Sequence, residues 1–235
     1  MLRIILLLIL AFSVIFSLFY LIRSNQKVEV KRSSERIYYL PLGDSLTIGL
    51  GVSEEERWPN ILVSRLQKQR MPIQLGVNPA ISGYTTEDLI REELPVVKQY
   101  QPDLVTILIG ANDSFINLDL NVFRSNMQII LKEANEVVND PSSVVVMTIP
   151  DYSIAFLPYG NQVPTKEKII TYNQIIKEEA NKMGMPVIDI FSFSQNLQDP
   201  QYYIDGGLHP SGLGYQKWVD FIYPQVSKLL RNRGK

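Results

Sequence analysis

No cysteine occurs among the 235 residues, and histidine occurs once. The first absence removes disulfides, thiolate nucleophiles, iron-sulfur clusters and every cysteine-ligated zinc site. The second excludes a multi-histidine metal centre and routes any imidazole chemistry through His209. Charge of one sign is missing as well: the formal net charge is -1, so the chain lacks the basic surplus that binding a phosphate backbone requires, and nucleic acid is not an expected partner. Internal repeats and low-complexity tracts are also lacking. With hydrophobic residues at 46% and charged residues at 20%, the chain can bury an ordinary globular core. Nothing in the composition calls for a metal or an organic cofactor.

One long hydrophobic run is present. Residues 4–22 read IILLLILAFSVIFSLFYLI, uncharged and relieved only by Ser13 and Ser17. As a helix this run spans ~28 Å, close to the ~30 Å of a bilayer core. It has no polar face, which argues against a buried helix of a globular domain, and no small-residue A-x-A site comes after it. Residues 1–23 are therefore expected to form a membrane anchor, with a cleaved signal segment as the rival. Arg3 precedes the run, while Arg23, Lys27, Lys31 and Arg32 lie beyond it, a bias that on the positive-inside rule keeps the rest of the chain in the cytoplasm. A short tail with one Arg is also how a signal-anchor opens, and such segments export the domain behind them; export is the expectation. Residues 24–35 are polar and aperiodic and suit a tether. Residues 36–235, about 200, are enough for one domain.

Short apolar runs then alternate with segments of helical period. The expected strands are Ile37–Leu42, Ile73–Val77, Leu104–Ile109, Val144–Ile149 and Val187–Ile190, several apolar on both faces, as strands of a covered parallel sheet are. The expected helices are Trp58–Arg70, Thr86–Tyr100, Asn121–Asn139, Lys166–Met183 and Ser211–Arg231, with Pro95 kinking or splitting the second. Five strands each followed by a helix make a three-layer α/β/α sandwich around a five-stranded parallel sheet, with right-handed crossovers. Ligands of such sheets bind beyond the carboxyl ends of the strands.

Three segments of interest lie there, and a fourth lies before the last helix. The first strand runs into Gly43-Asp44-Ser45-Leu46-Thr47. The second is followed by Asn78-Pro79-Ala80-Ile81-Ser82-Gly83-Tyr84, the third by Gly110-Ala111-Asn112-Asp113, and the last helix is preceded by Asp205-Gly206-Gly207-Leu208-His209-Pro210. Each alone has a bland reading: Ser45 as a helix cap, Asn112 as a turn residue. Taken in order, they resemble the motif blocks of the SGNH (GDSL-type) hydrolases, over essentially the whole domain from about Tyr38 onward. The resemblance implies a serine esterase of flavodoxin-like sheet order with Ser45 as nucleophile and His209 as base. It also implies an oxyanion hole made of the Ser45 N–H, the Gly83 N–H and the Asn112 side-chain amide. The physical reasons run parallel. A serine hydroxyl needs an imidazole to take its proton, and the chain has one; a tetrahedral oxyanion needs donors fixed in advance, which a close-approaching glycine backbone and an uncharged amide supply.

One spacing departs from the resemblance, since the triad aspartate of that family usually stands three residues before the histidine. Here that position is Gly206 and Asp205 lies four before. The expectation is that the glycine pair bulges the loop so that Asp205 still reaches the ring; otherwise a backbone carbonyl orients His209. Asp44, Asp113 and Asp189 read as structural, the first two fixing their loops by local hydrogen bonds. The aromatic residues of Asp151–Pro164 either line an acyl pocket or cover the sheet. Gly49-Leu50-Gly51 lacks the third glycine of a dinucleotide fingerprint, and Ser45 lacks the second glycine of G-x-S-x-G. The expected substrate is a small-molecule ester, lipid-derived given the anchor. A carbohydrate O-deacetylase, a thioesterase and an inactive tethered binding module are the rivals.

Overall fold

Seven residues, Ile37–Gly43, form the first strand, β1, and its later positions are buried on both faces. The structure is a computed structural model that describes residues 36–151, 153 and 163–233. The expected anchor and tether lie outside the described residues, as does most of the loop from Asp151 to Pro164. Among the described residues no helix is long and apolar enough to cross a membrane.

After β1 come a short helix α1 (Ser45–Ile48), α2 (Trp58–Lys68) and β2 (Ile73–Leu75). The next helical segment has three parts: α3 (Thr86–Asp88), a π-helical turn (Leu89–Glu93) and α4 (Leu94–Tyr100). The rest of the chain gives β3 (Leu104–Leu108), α5 (Ala111–Phe115), α6 (Leu120–Val138), β4 (Val144–Met147), α7 (Lys166–Lys182), β5 (Val187–Ile188), α8 (Ile190–Ser194) and α9 (Gly212–Asn232). The five strands pair in the order β2-β1-β3-β4-β5, every pair parallel. The path runs outward from β1 to β2 and then crosses to β3, so the strand order reverses between β1 and β3. Right-handed crossovers in opposite directions place α2 on one face and α4, α6 and α7 on the other. α9 returns to pack on α2.

Burial follows from the sequence. All residues of β3 and β4 are buried, as expected of Val- and Ile-rich strands covered on both sides. α6 inserts Phe123, Met127, Ile130, Leu131 and Ala134, and α9 inserts Trp218, Val219, Ile222, Val226 and Leu230. Both sets keep helical spacing, and each fully buried large side chain is worth about 1.5–3 kcal/mol.

Three expectations about the elements need correction. β2 ends at Leu75, not Val77, and β5 ends at Ile188, because Asp189 at once caps α8 by accepting from the Ser192 N–H. Pro95 neither kinks nor splits its helix at its own position. The break lies upstream, where the Leu94 N–H bonds five residues back to Leu89 O and Pro95 falls in the first turn of α4. A proline lacks the N–H and needs room for its ring, conditions that a first turn meets; the widened turn before it absorbs the mismatch. Finally, α1, α5 and α8 depart from the expected helices: each has five residues or fewer, too short to show a period.

Candidate active site

Ser45 is the first residue of α1, separated from Gly43 at the end of β1 by Asp44 alone. Gly43 has φ +154°, and a Cβ there would lie 2.3 Å from the backbone oxygen of Leu108 on β3; only glycine lets the two strands end so close together. Asp44 caps the helix, its carboxylate accepting from the Leu46 N–H at 3.0 Å. Two further ties hold α1: the Tyr215 hydroxyl of α9 donates to Leu46 O at 3.0 Å, and the Asn78 amide donates to Thr47 O at 3.0 Å.

His209 comes to this serine from 164 residues away. Its Nε2 lies 2.9 Å from Ser45 Oγ, and the two residues are 8% and 9% exposed, so the contact is largely screened from water. On the other side of the ring, Nδ1 bonds to Asp205 Oδ2, while the His209 N–H donates to Asp205 Oδ1 at 2.8 Å. Both Gly206 and Gly207 have positive φ, 76° and 103°, a turn that folds the Asp205 carboxylate back onto the residue four further on. An antiparallel bridge between Tyr203 and Pro210, with Ile204 N–H donating to His209 O at 3.1 Å, closes the base of this loop.

Gly83 has φ +89° with open space where a Cβ would stand, so here the backbone conformation, not crowding, calls for glycine. Among the described residues no hydrogen bond occupies the N–H of Ser45 or of Gly83. The Asn112 amide donates to Tyr84 O at 2.8 Å, and lies 3.5 Å from Asp44 Oδ2. It thereby joins the end of β3 to the residue after Gly83, with its second hydrogen only weakly engaged. The expected residues thus fall into two groups: Ser45, His209 and Asp205 in one hydrogen-bonded line, and Asn112 beside Tyr84.

Asp44 behaves as expected, through a local bond, whereas Asp113 does not. Its carboxylate accepts from the Thr86 N–H at 3.0 Å and from the Thr86 hydroxyl, a link of 27 residues that docks α3 onto α5. Asp189 is structural, joining Lys177 at 2.7 Å besides its cap. Burial pushes the Asp44 carboxyl up to about 7, with the charge of Asp113 adding to the effect. Near it lies Glu93, fully buried, whose Oε2 accepts from the Gly43 N–H at 3.0 Å. Burial, with the Asp44 charge adding, holds this carboxyl well above the ordinary range. Motif spacing does not single out Glu93. A weaker signal exists: Leu89, Glu93 and Val97 stand at i, i+4 and i+8, which puts a carboxyl in an inward-facing stripe.

A family model described as the GDSL-like lipase/acylhydrolase family matches residues 42–217. The chain belongs to that family. Among relatives of this GDSL-like chain, an arylesterase of Vibrio mimicus is 28% identical over 203 residues, spanning 85% of the chain and 92% of that protein. The thioesterase 1/protease 1/lysophospholipase L1 of Escherichia coli K12 is 23% identical over 193 residues, or 82% and 85%. The psychrotrophic esterase EstA of Pseudoalteromonas sp., solved in a form inhibited by monoethylphosphonate, superimposes with a TM-score of 0.68 at 22% identity, covering 83% and 99%; that likeness speaks for the fold. Family and relatives make this GDSL-like chain a serine ester hydrolase. Chemically, the site offers a hydroxyl whose proton an adjacent imidazole can take, a carboxylate that holds the imidazole in the required tautomer, and backbone donors beside them.

Proposed function

We propose that the chain hydrolyses carboxylic esters through an acyl-enzyme on Ser45, with His209 as general base and Asp205 as its orienter. The observation that carries this reading is the line Ser45 Oγ, His209, Asp205, built on the only imidazole in the chain. As Oγ attacks the ester carbon, Nε2 takes its proton and the imidazolium is balanced by Asp205 at Nδ1. Negative charge gathers on the former carbonyl oxygen, met by the N–H groups of Ser45 and Gly83 and by the Asn112 amide. Nε2 then protonates the leaving alkoxide as the carbon–oxygen bond breaks, and a water, deprotonated by the same nitrogen, releases the acid.

The substrate class we favour is a lipid-derived ester. Leu50, Ile81, Ile116 and Ile204 are exposed apolar side chains on the very segments that carry the site. The N–H groups of Leu50, Ile116 and Ile204 bond to the carbonyls of Ser45, Asn112 and His209, and Ile81 O accepts from Tyr84 N–H. Such a grouping suits an alkyl chain better than a sugar. A thioester is the second reading, favoured by the thioesterase name of the Escherichia coli relative. In the test, a fluorophosphonate probe labels the protein and Ser45→Ala abolishes labelling. A panel of acyl esters, thioesters and acetylated sugars then ranks the classes, with long-chain esters expected to be turned over fastest. Equal labelling of Ser45→Ala sinks the serine assignment, and a labelled protein without turnover on any member supports a binding module.

We further propose that residues 1–23 anchor the domain to the membrane with the catalytic part outside. The length of the apolar run supports this. External protease added to intact cells is expected to remove the domain; protection until lysis would place it in the cytoplasm.

A further inference from the structure

Along β1 the odd-numbered residues direct their backbone groups toward β2 and the even-numbered ones toward β3. Ile37 N–H donates to Pro72 O at 2.7 Å and Tyr39 O accepts from Gly76 N–H at 2.8 Å, whereas Tyr38 N–H donates to the Asp103 carboxylate at 2.8 Å. β2 stops at Leu75, opposite Tyr39, so the later odd residues face no strand. Pro41 has no N–H to satisfy there. Gly43 has one, and Glu93 Oε2 accepts it at 3.0 Å. The side chain that does this arrives from the π-helical turn, the one place where the helix gains a residue on its inward face. Glu93 is fully buried, its Oε1 has no partner, and no cation pairs with it among the described residues. A buried carboxyl without a counter-charge is unusual, and π-helical turns cluster at functional sites.

We propose that Glu93 is a positioning residue for ester hydrolysis: by holding the Gly43 N–H it fixes the strand-to-helix turn that presents Ser45 and its N–H to the substrate carbonyl. The carboxyl works in its neutral form. In that form Oε2 remains the acceptor of the Gly43 N–H. Burial and the like charge of Asp44 both disfavour an ionised Glu93, against the single Gly43 N–H that favours it. Without this acceptor the Gly43 N–H is left buried and unpaired, and the turn two residues before the nucleophile can rearrange to reach another partner. Misplacing a transition-state donor slows turnover without loosening substrate binding.

The inference rests on the serine-esterase reading, and the test separates the two. Glu93→Gln, Glu93→Leu and Glu93→Asp are assayed on a short p-nitrophenyl ester, with circular dichroism as the check on folding and phosphonate labelling of the parent protein as the check on Ser45. Glutamine keeps a carbonyl acceptor for Gly43 and should hold kcat within ~3-fold. Leucine should lose ~10- to 100-fold in kcat with KM moved less than ~3-fold. If the leucine variant does not fold, aspartate, whose shorter side chain withdraws the acceptor, should show the same kcat-specific loss. A folded leucine or aspartate variant with the parent kcat overturns the proposal. So does a glutamine variant as slow as the others, since charge would then be required. Failure of the parent protein to label at Ser45 would instead remove the serine reading itself.

Discussion

His209 is held at three atoms: Asp205 takes both its main-chain N–H and its Nδ1, and Ser45 Oγ meets Nε2. A ring fixed in this way has one tautomer available for catalysis, with the proton on Nδ1 and the lone pair of Nε2 facing the serine. Asp205→Asn would offer the ring an amide in place of the carboxylate and favour the opposite tautomer. We expect turnover to fall by up to ~10⁴ with the fold intact by circular dichroism. Asp189→Asn and Asp199→Asn should cost far less, because Asp189 caps α8 and pairs with Lys177 while Asp199 accepts from the Gln201 N–H. A loss below ~10-fold for Asp205→Asn would mean that the carboxylate does not set the tautomer. The four-residue spacing from Asp205 to His209 is accommodated by backbone, through two glycines at positive φ.

At the scale of elements, the site exists because β1 and β3 end together. Gly43 pairs with Leu108, so the two short helices beyond them, α1 with Ser45 and α5 with Asn112, start side by side at the point where the strand order reverses. The long elements were legible because a buried strand or an amphipathic helix repeats its pattern over enough residues to be read. The short helices at the site were not. α1, α5 and α8 are specified by caps and by the groups that dock on them: Asp44 for α1, Asp189 for α8, and the Thr86–Asp113 link for α5. Likewise Pro95 announced a break in its helix but not its location, since the ring restricts the turn before it and packing decides which residue is turned inward.

For the molecule as a whole, burying carboxyls beneath the site has a consequence for stability. Asp44 titrates near 3.8 in the unfolded chain and near 7 when folded. Between those values the folded protein keeps a proton that the unfolded chain has released. The contribution is therefore fully present below pH 3.8 and is lost as pH rises through about 7, on the order of 4 kcal/mol in all. Glu93 acts in the same direction. Denaturant unfolding measured across this range should show a falling midpoint, and Asp44→Asn, which keeps an acceptor for the Leu46 N–H but cannot ionise, should flatten the fall. An unchanged slope would mean that Asp44 is already charged in the folded protein.

The sequence by itself determined the parallel sheet and its covering helices, the place of Ser45 and Asn112 just after strands, of Gly83 in the loop beyond β2 and of His209 just before the last helix, and the absence of any thiol or multi-histidine chemistry. These come from composition, from periodicity and from motifs carried on contiguous residues. Only the tertiary structure decided that Asp205 reaches across the extra residue, that Asp113 serves α3 and not its own loop, and that the Asn112 amide ends on Tyr84 O. It alone decided that Glu93 lies beneath the nucleophile turn. The physical reason is common to all four. Each depends on where a hydrogen-bonding group finds itself once backbone from a distant segment has been brought beside it, and that is set by strand lengths and helix register, which no local pattern encodes.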